Sequence, residues 1–223
     1  MNQPIPTIDG PRFAPRSGKA RQLVVFLHGY GADGNDLIGI GKQWADLLPD
    51  AAFVSPHAPE PCGGAPMGRQ WFGLTSRDPG ELWRGVTQAQ PVLDAFLDAE
   101  LVRHGLDENK LALVGFSQGT MMALHVAYRR AQACACVVGY SGMLAGDKHL
   151  QAEVRSKPST ILIHGDQDQV IPVQALFQAS QTLAGADIPV EWHVSQGIGH
   201  GIDGQGLMHG LSFMAKAFGV RLG

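Results

Sequence analysis

The chain has 223 residues, 44% of them hydrophobic, with a formal net charge of -3 and a pI near 6.3. That length admits one domain or two, and the apolar content is enough for a substantial core, so a folded globular chain is the default. Nothing basic is available to hold nucleic acid: the longest basic cluster is Arg129-Arg130, which reads as the cationic end of a helix.

The first 22 residues, MNQPIPTIDGPRFAPRSGKARQ, have neither the basic start nor the continuous apolar segment of a signal peptide, and no run approaches membrane-spanning length. They are expected to form an extension (1–22) packed on a single domain (23–223), in a cytoplasmic chain with no integral membrane segment. From residue 23 short apolar runs alternate with segments of helical spacing, the pattern of β-α units around a mostly parallel sheet. Strands are predicted at 23–29, 51–56, 110–117, 135–142, 160–165 and 189–197, most of them apolar without alternation, as in strands covered on both faces. Leu37, Ile40, Trp44, Leu47 and Leu48 form one helical core stripe; Leu207, Leu211, Met214 and Phe218 form another. A third, through Val86, Ala89, Leu93, Phe96 and Leu101, contains Pro91, which predicts a kink or a late start. The three cysteines cannot all pair. Cys134 and Cys136, two apart, are placed on one face of a strand without bridging geometry and read as buried thiols of a reducing compartment.

Residues 56–83, PHAPEPCGGAPMGRQWFGLTSRDPGELW, hold five prolines and five glycines, too many for a regular element. Long ordered loops are often functional. Met67, Trp71, Phe72, Leu74 and Trp83 either wall an apolar substrate pocket or staple this loop onto the body.

Gly115-Phe116-Ser117-Gln118-Gly119 matches G-x-S-x-G in the required context, with the strand KLALV before it and the helical TMMALHVAYRRA after it. Flanking glycines are needed because a Cβ at either position would collide with the neighbouring strand or helix. The turn exposes a nucleophile at a helix N-terminus, where backbone N–H groups and the dipole stabilise negative charge. A serine hydroxyl is a poor nucleophile at neutral pH, so a histidine must take its proton and an acid must orient that histidine, following the serine in the order acid, then histidine. Among the downstream acids, Asp166 and Asp168 lie just past an apolar strand, in TILIHGDQDQVIP; Asp168, farther from the strand end, is favoured, and Asp166 is left to brace the turn. Of His193, His200 and His209, the first sits in a strand and the last in the final helix. His200, in QGIGHGID, lies on a glycine-rich loop that can carry an imidazole over the sheet edge. His164, Asp166 and Asp168 are spaced i, i+2, i+4 on a turn without further ligands, which does not make a metal set. An oxyanion hole needs two N–H donors; LVVFLHGYGADGND supplies the loop from which Tyr30 N–H can pair with Gln118 N–H, with His28 as its brace.

Taken together, LHGYGADGND, RQWFGL, GFSQG, HGDQDQVIP and GIGHGI, in that order over residues 27–202, resemble the small carboxylesterase, lysophospholipase and acyl-protein thioesterase group of α/β-hydrolases. The resemblance implies an α/β-hydrolase fold, Ser117, Asp168 and His200 as the triad, and Tyr30 and Gln118 N–H groups as the oxyanion hole. Tyr30 stands where the family more often has leucine, which changes the pocket rim and leaves the backbone donor intact. Only 17 residues, MLAGDKHLQAEVRSKPS, join the strands near 135 and 160, too few for a large cap domain. The expected substrates are carboxylic esters, acyl thioesters or lysophospholipids, free or borne on a lipidated protein. No cofactor is called for, and homodimerisation is left open. The rival readings are an amide hydrolase or perhydrolase on the same triad, and a ligand-binding relative that has lost catalysis.

Overall fold

Apolar runs without polar alternation become the inner strands of one sheet. The computed structural model describes residues 5–222, so residues 1–4 of the expected extension lie outside the described residues. Among those residues the elements are β1 (Arg12–Phe13), β2 (Gln22–Leu27), α1 (Gly34–Trp44), β3 (Ala51–Val54), β4 (Glu60–Pro61), β5 (Arg69–Gln70), α2 (Pro79–His104), β6 (Leu111–Phe116), α3 (Gln118–Arg129), β7 (Cys136–Tyr140), α4 (Asp147–Glu153), β8 (Ser159–Gly165), α5 (Gln174–Gly185), β9 (Val190–Ser195) and α6 (Gly204–Phe218). The seven-stranded sheet runs β1-β3-β2-β6-β7-β8-β9; only the β1–β3 pair is antiparallel. The β4–β5 pair forms a separate two-stranded ribbon within the proline- and glycine-rich segment, where no regular element was expected.

Each inner strand feeds two cores, because successive side chains point to opposite faces. Leu23, Val25 and Leu27 pack with Leu93, Leu97 and Leu124 of α2 and α3, and with Leu176 of α5. Val24 and Phe26 pack with Leu37 and Trp44 of α1 and with Leu211 and Met214 of α6. Helices therefore cover both faces, and full burial of side chains of this size stabilises by about 1.5–3 kcal/mol each. No helix among the described residues is long and apolar enough to cross a membrane.

Three local expectations are corrected. Leu47 is exposed rather than core, because α1 stops at Trp44 and the chain turns there, with Leu47 N–H donating to the Trp44 carbonyl. Cys134 and Cys136 do not share a face: the strand begins only at Cys136, so Cys134 packs in the α2–α3 layer and Cys136 in the α1–α6 layer. The helix carrying Pro91 starts early, at Pro79, capped by Asp78, whose carboxylate accepts the N–H groups of Gly80 and Glu81. A proline at the first helical position loses no hydrogen bond there.

Charge ties the α2–α3 layer together. Arg130, at the α3 C-terminus, pairs with Asp94 (2.7 Å) and Asp98 (2.6 Å) of α2 and with Glu108. His125 of α3 is 1% exposed; its Nε2–H donates to Gln90 Oε1 of α2 (3.0 Å), while Nδ1 has no partner among the described residues. Burial, reinforced by the Arg129 cation, pushes this imidazole down to about 3, since a second proton would have no acceptor.

Between about 3 and 6.5 the unfolded chain binds the His125 proton and the folded chain does not, so stability is full above the unfolded value and falls with pH. Urea unfolding is expected to show about 2 kcal/mol lost through this group from pH 7 to pH 5, and a His125→Gln variant to be flatter over that range by the same amount. Identical pH slopes for the two proteins would refute the assignment.

Candidate active site

Parallel strands end on one edge, and five of the segments leaving that edge meet. Ser117 follows β6 directly, at φ 54° and ψ -116°. Such a backbone costs roughly 1–3 kcal/mol outside glycine, so neighbours must hold it. Ser117 N–H donates to the Tyr140 carbonyl at the end of β7 (2.9 Å). A Cβ on Gly119 would lie 1.8 Å from the Leu27 carbonyl oxygen, and one on Gly115 2.5 Å from Thr120 N. The two glycines therefore let α3 start against the ends of β2 and β6, as the collision argument anticipated.

The loops after β8 and β9 bring the other groups. His200 Nδ1 lies 2.7 Å from Asp168 Oδ2, and His200 Nε2 3.0 Å from Ser117 Oγ. An ionised carboxylate only accepts, which places the proton on Nδ1 and leaves Nε2 free to accept from the serine hydroxyl. Burial pushes the Asp168 carboxyl up, but the hydrogen bond from His200 and the N–H groups of Ile171 and Val170 on its other oxygen outweigh it, and the net shift is downward. Asp168 thus stays ionised beside the imidazole. Asp166 accepts Gly197 N–H (2.7 Å), bracing the loop that carries His200. His164 donates to the Ile171 carbonyl (2.8 Å) and its Nε2 also lies 3.2 Å from Asp168 Oδ2, whereas Asp166 is turned to the Gly197 N–H. His193 of β9 and His209 of α6 lie ring against ring at a 32° tilt (4.0 Å between centroids), and neither lines the cavity above Ser117.

On the other side, the Tyr30 and Gln118 N–H groups have no acceptor among the described residues. The loop between β2 and α1 is locked from behind. His28, fully buried, donates from Nδ1 to the Gly29 carbonyl (2.8 Å) and accepts Ala58 N–H on Nε2 (3.0 Å). An Nε2 that accepts cannot carry a proton, and burial pushes the ring's pKa down, so His28 is a neutral brace.

A cavity of about 510 Å³ opens above these groups, lined by Ser117, His200, Tyr30, Gln118 and Leu74. Its apolar walls are Leu82, Met121, Met143, Val170, Ile171, Pro172 and Ala175, with Gln174, Gln178 and Arg77 as further polar lining. Of the five side chains offered for the pocket wall, Leu74 lines it and Met67, Trp71, Phe72 and Trp83 do not. Met67 is 91% exposed at the tip of the β4–β5 ribbon. Trp71 is turned inward, its indole N–H donating to the His28 carbonyl (3.0 Å), and the Phe72 ring presses on Gly85 of α2. These aromatics staple the segment to the body.

Two side chains went unremarked in the sequence. The Gln118 amide accepts Trp71 N–H (3.0 Å) and donates to the Phe72 carbonyl (2.8 Å), fastening the stapled loop to the residue after Ser117. Ser141, directly after β7 with φ 44°, donates from Oγ to the Gly201 carbonyl (3.0 Å), beside His200. GYSG, a serine between glycines just past an apolar strand, was the available signal.

Residues 9–218 match the phospholipase/carboxylesterase family. Esterase YpfH of Escherichia coli (strain K12) is 32% identical over 205 residues, covering 87% of this chain and 82% of that protein. Acyl-protein thioesterase 1 of Gibberella zeae is 23% identical, covering 85% and 88%. The crystal structure of esterase PE8 superposes with a TM-score of 0.92 at 42% identity, covering 95% of this chain and 99% of that one.

Removing the Ser141 hydroxyl frees the Gly201 carbonyl beside the imidazole. Ser141→Ala is expected to lower kcat about 10-fold with KM nearly unchanged, because misplacing a reacting group costs rate rather than binding. A kcat equal to that of the wild type, in a variant of unchanged thermal stability, would show that the contact positions nothing.

Proposed function

The chain belongs to the phospholipase/carboxylesterase family and is a carboxylic ester hydrolase of the α/β-hydrolase fold, and from that premise we propose that Ser117, His200 and Asp168 act as its triad through an acyl-enzyme. The supporting observation is the continuous chain Asp168 Oδ2, His200 Nδ1, His200 Nε2, Ser117 Oγ, with contacts of 2.7 and 3.0 Å across loops far apart in sequence.

Ser117 Oγ attacks the acyl carbonyl while His200 Nε2 takes its proton; Asp168 holds the imidazolium that results. The carbonyl π pair moves onto oxygen, which the Tyr30 and Gln118 N–H groups receive; one such donor is worth about 100- to 1000-fold in turnover. The oxyanion collapses, the bond to the alcohol or thiol breaks, and His200 returns the proton to the leaving atom. Water, deprotonated by the same nitrogen, then releases the acid and restores the serine. The acyl chain lies along Leu82, Met121, Met143 and Ala175, beyond which a second chamber of about 140 Å³ continues past Leu82, Met143 and Gln178. That floor suits simple esters and longer acyl chains, including those of lysophospholipids or lipidated proteins, met by one chain or a homodimer. Three buried, unpaired thiols are in keeping with a reducing cytoplasmic setting.

A p-nitrophenyl ester series from short to long acyl chains, run with Ser117→Ala alongside, tests this directly. The wild type is expected to show a chain-length optimum, to be labelled by a fluorophosphonate at Ser117, and to lose turnover on the order of a million-fold in the variant. A His200→Ala protein with full activity would sink the proposal.

A further inference from the structure

The cavity above Ser117 carries a charge that hydrolysis of a plain ester does not use. Arg77 lines it, and apart from His200 and the Tyr30 phenol no other lining residue can be charged. No aspartate or glutamate is among them. Arg77 is exposed, and among the described residues its guanidinium enters no ion pair, although Asp78 and Glu81 are its neighbours in sequence.

Those two acids are committed elsewhere. Glu81 accepts the backbone N–H groups of Thr75 (2.7 Å), Ser76 (2.9 Å) and Arg77 itself on its two carboxylate oxygens. Asp78 accepts Ser76 Oγ–H and caps α2 through Gly80 and Glu81 N–H. The consequence is a fastened turn with Arg77 at φ 59°, in the left-handed region that a non-glycine residue occupies only when its surroundings enforce it. Strain of this kind, beside a cavity that holds a reactive serine, is an investment in where one side chain sits. Arginine suits the position because its planar fork recognises carboxylate and phosphate oxygens in pairs.

Resting on the reading of Ser117 and His200 as the reacting pair, we propose that Arg77 is a specificity-determining residue that binds an anionic substituent, a carboxylate or phosphate, on the ester substrate. The apolar floor takes the acyl chain, and the cation at the rim ranks esters by charge. Neutral esters are then the poorer members of the substrate class.

The test compares anionic and neutral esters in matched pairs. One pair carries the charge at the far end of the acyl group: a p-nitrophenyl dicarboxylic monoester against the p-nitrophenyl ester of equal chain length. Another carries it on the alcohol: a carboxyphenyl or phosphophenyl ester against the phenyl ester. In the wild type the anionic member of at least one pair is expected to have the higher kcat/KM. That anionic-to-neutral ratio should fall about 10-fold in Arg77→Gln, fall further in Arg77→Glu, and fall less in Arg77→Lys, which keeps the charge and loses the fork. The pair that responds tells which end of the substrate bears the charge, and the two aryl substituents tell carboxylate from phosphate. Ratios in Arg77→Gln within twofold of the wild type for every pair would overturn the proposal. The underlying reading fails by a different result, full turnover of the neutral esters by Ser117→Ala, so the two failures are distinguishable.

Discussion

The geometry of this molecule depends on one unfavourable backbone conformation, the left-handed turn at Ser117 between β6 and α3. A chain leaving a strand and entering a helix at once has no room for side chains on the inside of the corner. Here the corner is so tight that the backbone of residue 119 touches the end of β2, and that of residue 115 touches the start of α3. The helix is thereby pressed onto the middle of the sheet, and every residue of α3 is buried. With α3 seated, α2 packs outside it, and Arg130 and His125 become internal contacts between the two helices rather than surface groups. The polar consequences, an arginine paired with three acids and a neutral imidazole, follow from that single seating.

Parallel topology decides the rest of the site. In a parallel sheet every strand delivers its carboxyl end to the same edge, so the loops after β2, β6, β7, β8 and β9 are neighbours, whatever their separation in sequence. Each polar side chain there has a local partner that limits its motion: Asp168 by the N–H groups of residues 170 and 171, His28 by Ala58, Gln118 by the backbone of residues 71 and 72. Groups held in place in this way need no reorganisation when charge develops beside them.

The cleft is open because the connection between β7 and β8 is spent on a single short helix, α4. Its walls come instead from the segment 74–82 and from residues 170–178 at the entrance to α5. One wall is fastened by the capping of α2, the other by the turn that also serves Asp168. The walls of the cleft therefore lie on elements that also carry structural load.

Much of this was legible in the residues. The apolar runs announced covered strands, the glycines around Ser117 announced a corner, and the loops just past two later strands offered Asp168, favoured over Asp166, and His200 as its neighbours. Those features are local, set by sterics and by hydropathy within a few positions, and a linear reading can find them. The destinations of Met67, Trp71, Phe72, Cys134 and Leu47 were not local questions. An aromatic in an irregular segment can face a cavity or the core with equal ease; Trp71 faces the core because the His28 carbonyl, 43 positions away, accepts its indole N–H. The roles of Ser141 and of the Gln118 side chain likewise arise only when distant loops are brought to one edge. Sequence alone determined the kind of sheet and the corner that exposes a hydroxyl. Which side chains surround that hydroxyl was decided by tertiary packing, because buried donors and acceptors must find partners wherever the fold supplies them.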